Sequence, residues 1–316
     1  MIRHSVLRTK TQKKKLMKRI CERWQLYLLL LIPVLVVFIF SYVPMVGIVM
    51  AFQKYNIRDG LFNSPFVGLK QFEKFLTSHN FLSILRNTLS ISIYTLLVGF
   101  PLPVLFALLL NAMRAQRYKK VIQTVTYVPH FVSTVVMVGL VFQVLNSRNG
   151  LYGSMGRLLT GSLPPDLLAK GKYFNDIYVW SGIWQNLGFN AIIYIAALAG
   201  TDPNLHEAAT IDGANRFQRM RYVDFPSILP TVSIMLIMRV GKVMSVGRDK
   251  ALLMQNSLNM EYSEIISTYV YKVGLASGIS DFSYSTAIGL FNSVVNITLL
   301  IIANKITKKL NGSGIF

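Results

Sequence analysis

The chain has 316 residues, of which 53% are hydrophobic and only 15% charged, with a mean hydropathy of +0.46. A soluble globular domain carries about 25% charged residues, so this composition is that of a membrane protein. A net charge of +20 raises nucleic acid as a partner, but the basic residues lie in short stretches between apolar runs, which fits a topology signal and not a nucleic-acid face.

Residues 1 to 23 carry nine Lys or Arg against one acid, Glu22, and read as a cytoplasmic basic tail suited to anionic membrane lipid. Cys21 is the only cysteine, so no intrachain disulfide can form. Residues 27–50 follow without a charge, and a span needs about 20 apolar residues. The run is too long for the core of a signal peptide and lacks a small-x-small cleavage site, so it reads as a retained first span. Further charge-free runs cover 88–111, 121–145, 177–200 and 283–304, and 226–247 carries Arg239 and Lys242. The expectation is an all-α integral membrane protein of six transmembrane helices, with residues 24–316 forming one transmembrane domain.

Six spans put both termini on one side. The tail with 112–120, 201–225 and 305–316 carries 19 Lys or Arg, against 12 in the longer stretches 51–87, 146–175 and 248–282. The denser side is the cytoplasmic one, which places both termini in the cytoplasm. In the outer stretches, 69–76 reads as a short amphipathic helix, 146–175 as Gly- and Pro-marked turns around short helices, and 263–274 as another helix.

Between the fourth and fifth runs lies a short polar loop. Asp202-Pro203 is an N-cap followed by proline at the first helical position. Glu207, Ala208 and Ala209 sit on the helix that follows, and after Asp212, Gly213 supplies a left-handed stop. A second helical stretch carries Arg216, Arg219 and Arg221 up to Pro226, where the next apolar run opens. The order Glu-Ala-Ala, three residues, Gly, nine residues and Val223-Asp224-Phe225-Pro226 resembles the EAA loop of ABC-importer permeases. Val223 and Phe225 stand where Ile and Leu are usual. In that family the loop docks into a cleft of the ATPase subunit, which suits two small alanines and a carboxylate facing a basic partner.

Arg239 and Lys242 are three apart, hence on one face of a helix, roughly 20 and 24 Å along it from Pro226. Charges at such depth face an interior cavity or snorkel outward. If they line the pathway, they point to an anionic solute such as a uronate-bearing oligosaccharide. Gln185, Asn186 and Asn190, with Trp184 as a stacking platform, suit a sugar path and equally suit helix-to-helix glue, with Gly182 and Gly188 allowing close packing. Trp180, Trp184 and Tyr178 also fit an aromatic belt. Asn292 and Asn296 form an i, i+4 pair in the sixth span, again path or glue. Pro129-His130 breaks the third span, and Pro101 with Pro103 the second.

A phosphate-binding Gly-x-x-x-x-Gly-Lys-Ser/Thr run is missing, since Gly241-Lys242 lacks both the upstream glycine and the hydroxyl. His4, His79, His130 and His206 show no metal-ligand spacing. The chain thus reads as a transport subunit and not an enzyme, binding no cofactor or metal of its own. None of the six runs contains Asp or Glu, which argues against an ion-coupled secondary transporter, the rival class. Peptide or amino-acid uptake is the nearer alternative.

Stretches beyond the loop resemble the lipoprotein-associated and polysaccharide branch of the sugar-importer permeases. They include Tyr42-Val43-Pro44-Met45, Tyr127-Val128-Pro129-His130-Phe131, Ile193-Tyr194-Ile195-Ala196-Ala197 and Ala287-Ile288-Gly289-Leu290-Phe291. Arg248 departs from the pattern, which has an aromatic residue there. The resemblance implies a bacterial inner-membrane permease paired with a second, similar permease. It also implies two ATPase subunits that hold ATP and magnesium, and an extracellular or periplasmic solute-binding protein.

Overall fold

The structure, a computed structural model, describes residues 22–113, 115–276, 278 and 280–311. The basic tail read at residues 1 to 23 therefore lies outside the described residues but for Glu22 and Arg23. The apolar runs become five long helices and one bent pair. Among the described residues the only sheet-like contact is a bridge between Gln53 and Phe66.

Helix α1 (Trp24–Phe52) passes from an α-helical start through a π-helical turn, Phe38–Tyr42, into a 3-10 stretch, Val43–Phe52. Pro44, which has no N–H to donate, sits at the changeover. Almost all of α1 is exposed, and only its end, at Ala51, is buried. A helix apolar on every face suits lipid or another membrane protein. The short α2 (Lys70–Leu76) buries Phe75. Helix α3 (Phe81–Asn111) is interrupted at Phe100, where Pro101 takes the first position of its second segment, yet it continues as one long helix.

The third run departs from a simple span. Helices α4 (Gln116–Phe131) and α5 (Thr134–Leu145) meet at 105°. Pro129 lacks the donor a continuing helix needs, and Val132 and Ser133 turn extended. Ser133 then caps α5, its hydroxyl accepting from the Val136 N–H at 3.3 Å.

After α6 (Leu151–Thr160) come α7 (Phe174–Ala199), α8 (Pro203–Ile211) and α9 (Arg216–Val240). The connection from α9 to the last helix holds α10 (Arg248–Met254) and α11 (Ile266–Tyr271), and α12 (Phe282–Asn311) ends the fold. Several helices overrun the charge-free runs that suggested them: α3 begins at Phe81 against an expected 88, and α12 ends at Asn311 against an expected 304. Helix α9 begins ten residues earlier than the expected 226 and stops at Val240, with turns at 241–244, while the expected 263–274 is helical from Ile266, α11 passing directly into a π-helical turn, Lys272–Ala276. Hydropathy marks the apolar middle of a helix, whereas its ends are set by caps and packing.

Three groups of buried side chains hold the helices. Toward the α8 end, Val104 and Ala107 of α3, Ala191 and Leu198 of α7 and Ile228 of α9 pack together. At the opposite end, Ile91 of α3, Met137 of α5, Val179 of α7 and Ala251 of α10 form a second group, and Phe75, Ile84, Ile266 and Ile288 belong to a third. Helices α4 and α7 cross at Gly188, where an added Cβ would sit 2.5 Å from the Thr126 carbonyl oxygen. Only glycine permits this approach.

Candidate functional site

The loop between α7 and α9 is built from local signals. Asp202 is extended, and its carboxylate accepts from the Asn204 N–H at 3.0 Å, with Pro203 at the first helical position. At the other end of α8, Gly213 has φ +79. The Ala214 N–H reaches the Ala209 carbonyl at 2.9 Å and the Gly213 N–H reaches Thr210 at 3.1 Å, the paired bonds of a Schellman stop. Asn215 and Gln218 then form a reciprocal capping box that starts α9.

Tertiary bonds turn this loop into a rigid piece. Arg219 donates to the Thr210 hydroxyl at 2.9 Å, which clamps α9 to α8. Asp224, whose side chain is only 4% exposed, lies 3.2 Å from His206 Nε2 on α8 and accepts from Asn111 Nδ2 at the end of α3 at 3.1 Å. One buried carboxylate thus joins three helices. Glu207, Ala208, Asp212 and Gly213 remain exposed and Ala209 is half-buried. Ile211 and Phe217 project large apolar side chains, 87% and 67% exposed.

The second site is a pair of adjoining cavities among α3, α7, α9 and α10. One, of about 300 Å³, is lined by Gln185, Asn186, Asn190, Arg239 and Lys250 among others. The other, of about 220 Å³, is lined by Arg239, Lys242 and Ser92 among others, and Thr95, Tyr178 and Arg239 are common to both walls. Neither wall includes an Asp or a Glu. Arg239 has no ion-pair partner among the described residues. Lys250 Nζ donates to the Tyr178 carbonyl at 2.6 Å and stands 4.4 Å from the centre of that ring. Burial pushes its ammonium down to about 7 from the ordinary 10.5.

The family described as "binding-protein-dependent transport system inner membrane component" matches residues 99–312. The chain belongs to that family. The permease is 38% identical over 312 residues to the polygalacturonan/rhamnogalacturonan transport system permease protein YteP of Bacillus subtilis (strain 168), a match spanning 99% of this chain and 96% of the relative. It is 41% identical over 295 residues to protein LplB of the same organism, covering 93% of this chain and 92% of that one. Among solved structures it is similar to a chain of a bacterial ABC transporter involved in the import of the acidic polysaccharide alginate. The TM-score is 0.85 at 34% identity, with 94% of this permease and 99% of that chain covered. A structure of the alginate transporter in complex with an alginate pentasaccharide-bound periplasmic protein matches equally well, at 0.85 and 34%, with 95% and 100% covered. The permease is accordingly an inner-membrane transport subunit of the ABC-importer class.

The residues singled out in the sequence separate in space. Gln185, Asn186, Asn190 and Arg239 share one cavity wall, and Lys242 joins Arg239 in the adjoining one. Lys242 lies beyond the helix end in a turn, so the two charges do not share a helix face as expected. Gln185 also donates to the Val132 carbonyl at 2.9 Å, and Asn186 Oδ1 lies 2.9 Å from His130 Nδ1, so both brace the α4–α5 bend. Trp184 points elsewhere, into an apolar groove of about 570 Å³ with Leu140, Val144 and Trp180. Asn296 accepts from the Met244 N–H and donates to the Ser245 hydroxyl, each at 3.0 Å, and neither it nor Asn292 lines the cavities. Pro226 is exposed in the first turn of the α9 stretch Phe225–Val240. Arg248, where an aromatic residue was expected, pairs with Asp249 at 2.9 Å and lies over the Tyr271 ring.

Sequence reading missed two residues. Asp224 is an acid within a helix that enters an apolar run, and that context demands a buried partner. Lys250 lies in a connection and carries no comparable signal, since nothing in its spacing places it beside α7.

Proposed function

We propose that this permease is the translocation subunit of an ATP-driven importer that takes up acidic oligosaccharides, of the uronate-bearing kind. The observation that carries this reading is the cavity wall. Arg239, Lys242 and Lys250 converge there with amide and hydroxyl groups and without a carboxylate to neutralise them. Arg239 and Lys250 are half-buried and Lys242 is exposed, and cations partly withdrawn from water without a counter-charge favour an anionic ligand. The amide of Asn190 on the same wall adds hydrogen-bonding capacity of the type a sugar hydroxyl uses. The relatives named for polygalacturonan/rhamnogalacturonan and for alginate support the same solute class.

On this reading α8 and its glycine turn form the cytoplasmic coupling element, and both termini lie on that side. Exposed Glu207 meets a basic group of an ATPase subunit, the small Ala208 and Ala209 allow close approach, and Ile211 and Phe217 supply apolar contact area. The Asp224 junction passes the motion of α8 to α3 and α9 together. The chain itself binds no cofactor: two separate ATPase subunits hold ATP and magnesium. A second, homologous permease completes the membrane unit, and an extracellular or periplasmic solute-binding protein delivers the solute.

Purification of the complete chain from its native membrane tests this. Co-purification of an ATPase and a second permease, lost in Glu207→Ala and Gly213→Pro variants, is the expected result. A chain recovered alone and active in ATP-free vesicles refutes it in favour of a secondary transporter.

A further inference from the structure

Lys250 stands out among the charged groups because its environment opposes its charge. It sits on the third position of α10, a helix already anchored by buried Ala251 and Met254. Its ammonium has three donors, and the Tyr178 carbonyl takes one. No carboxylate lies within ion-pair reach of it among the described residues. The groups around it are Tyr178 on α7 and Arg239 on α9, with Lys242 beyond, while Arg248 and Asp249 on its own helix pair with each other. The site is shaped to accept the ammonium. Gly182 leaves a notch, since a Cβ there would sit 3.0 Å from Nζ. Tyr178 is braced independently, its hydroxyl donating to the Gly247 carbonyl at 3.2 Å, so Lys250 can leave it without loosening α7 from the connection.

We propose that Lys250 is a specificity-determining residue: its ammonium rests against Tyr178 and is drawn off by a carboxylate of the solute, so that the permease itself, and not only a delivering protein, selects acidic over neutral sugar chains. The proposal rests on the acidic-oligosaccharide reading above. A carbonyl dipole and a ring face are partners weak enough to be exchanged for a carboxylate, whose charge-assisted bonds are stronger. With burial bringing the group down to about 7, only about half of it is charged at neutral pH, and an arriving anion restores the charge that the protein alone disfavours.

Uptake of labelled trigalacturonate by cells carrying this chain or its variants, at matched membrane abundance, tests the proposal. Lys250→Gln is expected to raise KM on the order of tenfold to a hundredfold, the range for losing a hydrogen bond to a charged group. Lys250→Arg is expected to stay within a few-fold of wild type. Wild-type Vmax/KM falls as pH rises from 6 to 8, because the ammonium loses its proton, whereas Lys250→Arg stays flat in the same cells. A second measurement separates a selecting lysine from a packing one. The folded state holds the Lys250 proton less tightly than the unfolded state, so the group costs stability that grows as pH falls from about 10.5 to 7. The purified Lys250→Met chain therefore melts above wild type at pH 7, and the gain shrinks toward pH 10. Wild-type KM in Lys250→Gln, or a lower melting temperature for Lys250→Met at pH 7, overturns the proposal while leaving the solute reading intact. No trigalacturonate uptake by the wild type overturns the solute reading and the proposal with it.

Discussion

Replacing Asp224 by alanine should loosen the α8 loop while sparing the membrane helices. The carboxylate is buried and serves two donors on different elements, His206 on α8 at 3.2 Å and Asn111 on α3 at 3.1 Å. A hydrogen bond to a charged group contributes about 1.5–3 kcal/mol. His206, with 31% of its side chain exposed, regains water after the substitution, so its share lies at the low end of that range. Asn111 also loses its acceptor but stays within α3. The tether on α8 should weaken by about 1.5 kcal/mol, a change of roughly tenfold in the local opening equilibrium. Hydrogen exchange of the purified chain reads this directly. Amides of α8 should lose protection by about that factor in Asp224→Ala and by less in Asp224→Asn, which keeps one acceptor oxygen. Amides in the middle of α7 should not change. Unaltered α8 protection in Asp224→Ala would show that the junction does not hold the loop and that Arg219 to Thr210 suffices.

Gly213→Ala tests the glycine turn without steric confusion, because a Cβ there meets nothing within 4 Å. The cost is the left-handed backbone alone, about 1–2 kcal/mol, read as a lower melting temperature, and Gly213→Pro should further uncouple ATP hydrolysis from uptake. Gly188→Ala places a methyl 2.5 Å from the Thr126 carbonyl, which must push α4 from α7 at a cost of about 1–3 kcal/mol and lower the amount of folded chain extracted in detergent. Gln185→Leu leaves the Val132 carbonyl without that amide at the 105° bend. It should destabilise the chain by about 1–3 kcal/mol, whereas Trp184→Leu, in the apolar groove, should leave solute KM unchanged.

Much of this permease is local and therefore written in the chain. Apolar runs of span length mark the long helices, because lipid supplies no partner for a backbone outside a helix. The loop between α7 and α9 is legible to the residue, since Asp202, Pro203, Gly213 and the Asn215 cap act through bonds that close within a few positions. Helical period also divides α7 into two faces, Tyr178, Gly182, Gln185 and Asn190 on one and Ile177, Trp180 and Trp184 on the other. Which face turns inward is not legible, because lipid is as apolar as a protein core and composition does not distinguish them. Only the packed structure turns Gln185 toward the cavity and Trp184 away from it, sends Asn296 to the turn after α9, and brings Lys250 from 72 residues away to the carbonyl of Tyr178. It also decides that Pro129 makes a near right angle while Pro101 lets α3 run on. Proline removes the same donor at both sites, and the difference lies in what catches the chain afterward. At the bend the Ser133 cap, the Gln185 amide and the Gly188 crossing hold a new direction, whereas Pro101 is simply the first residue of a helix that continues along its own axis.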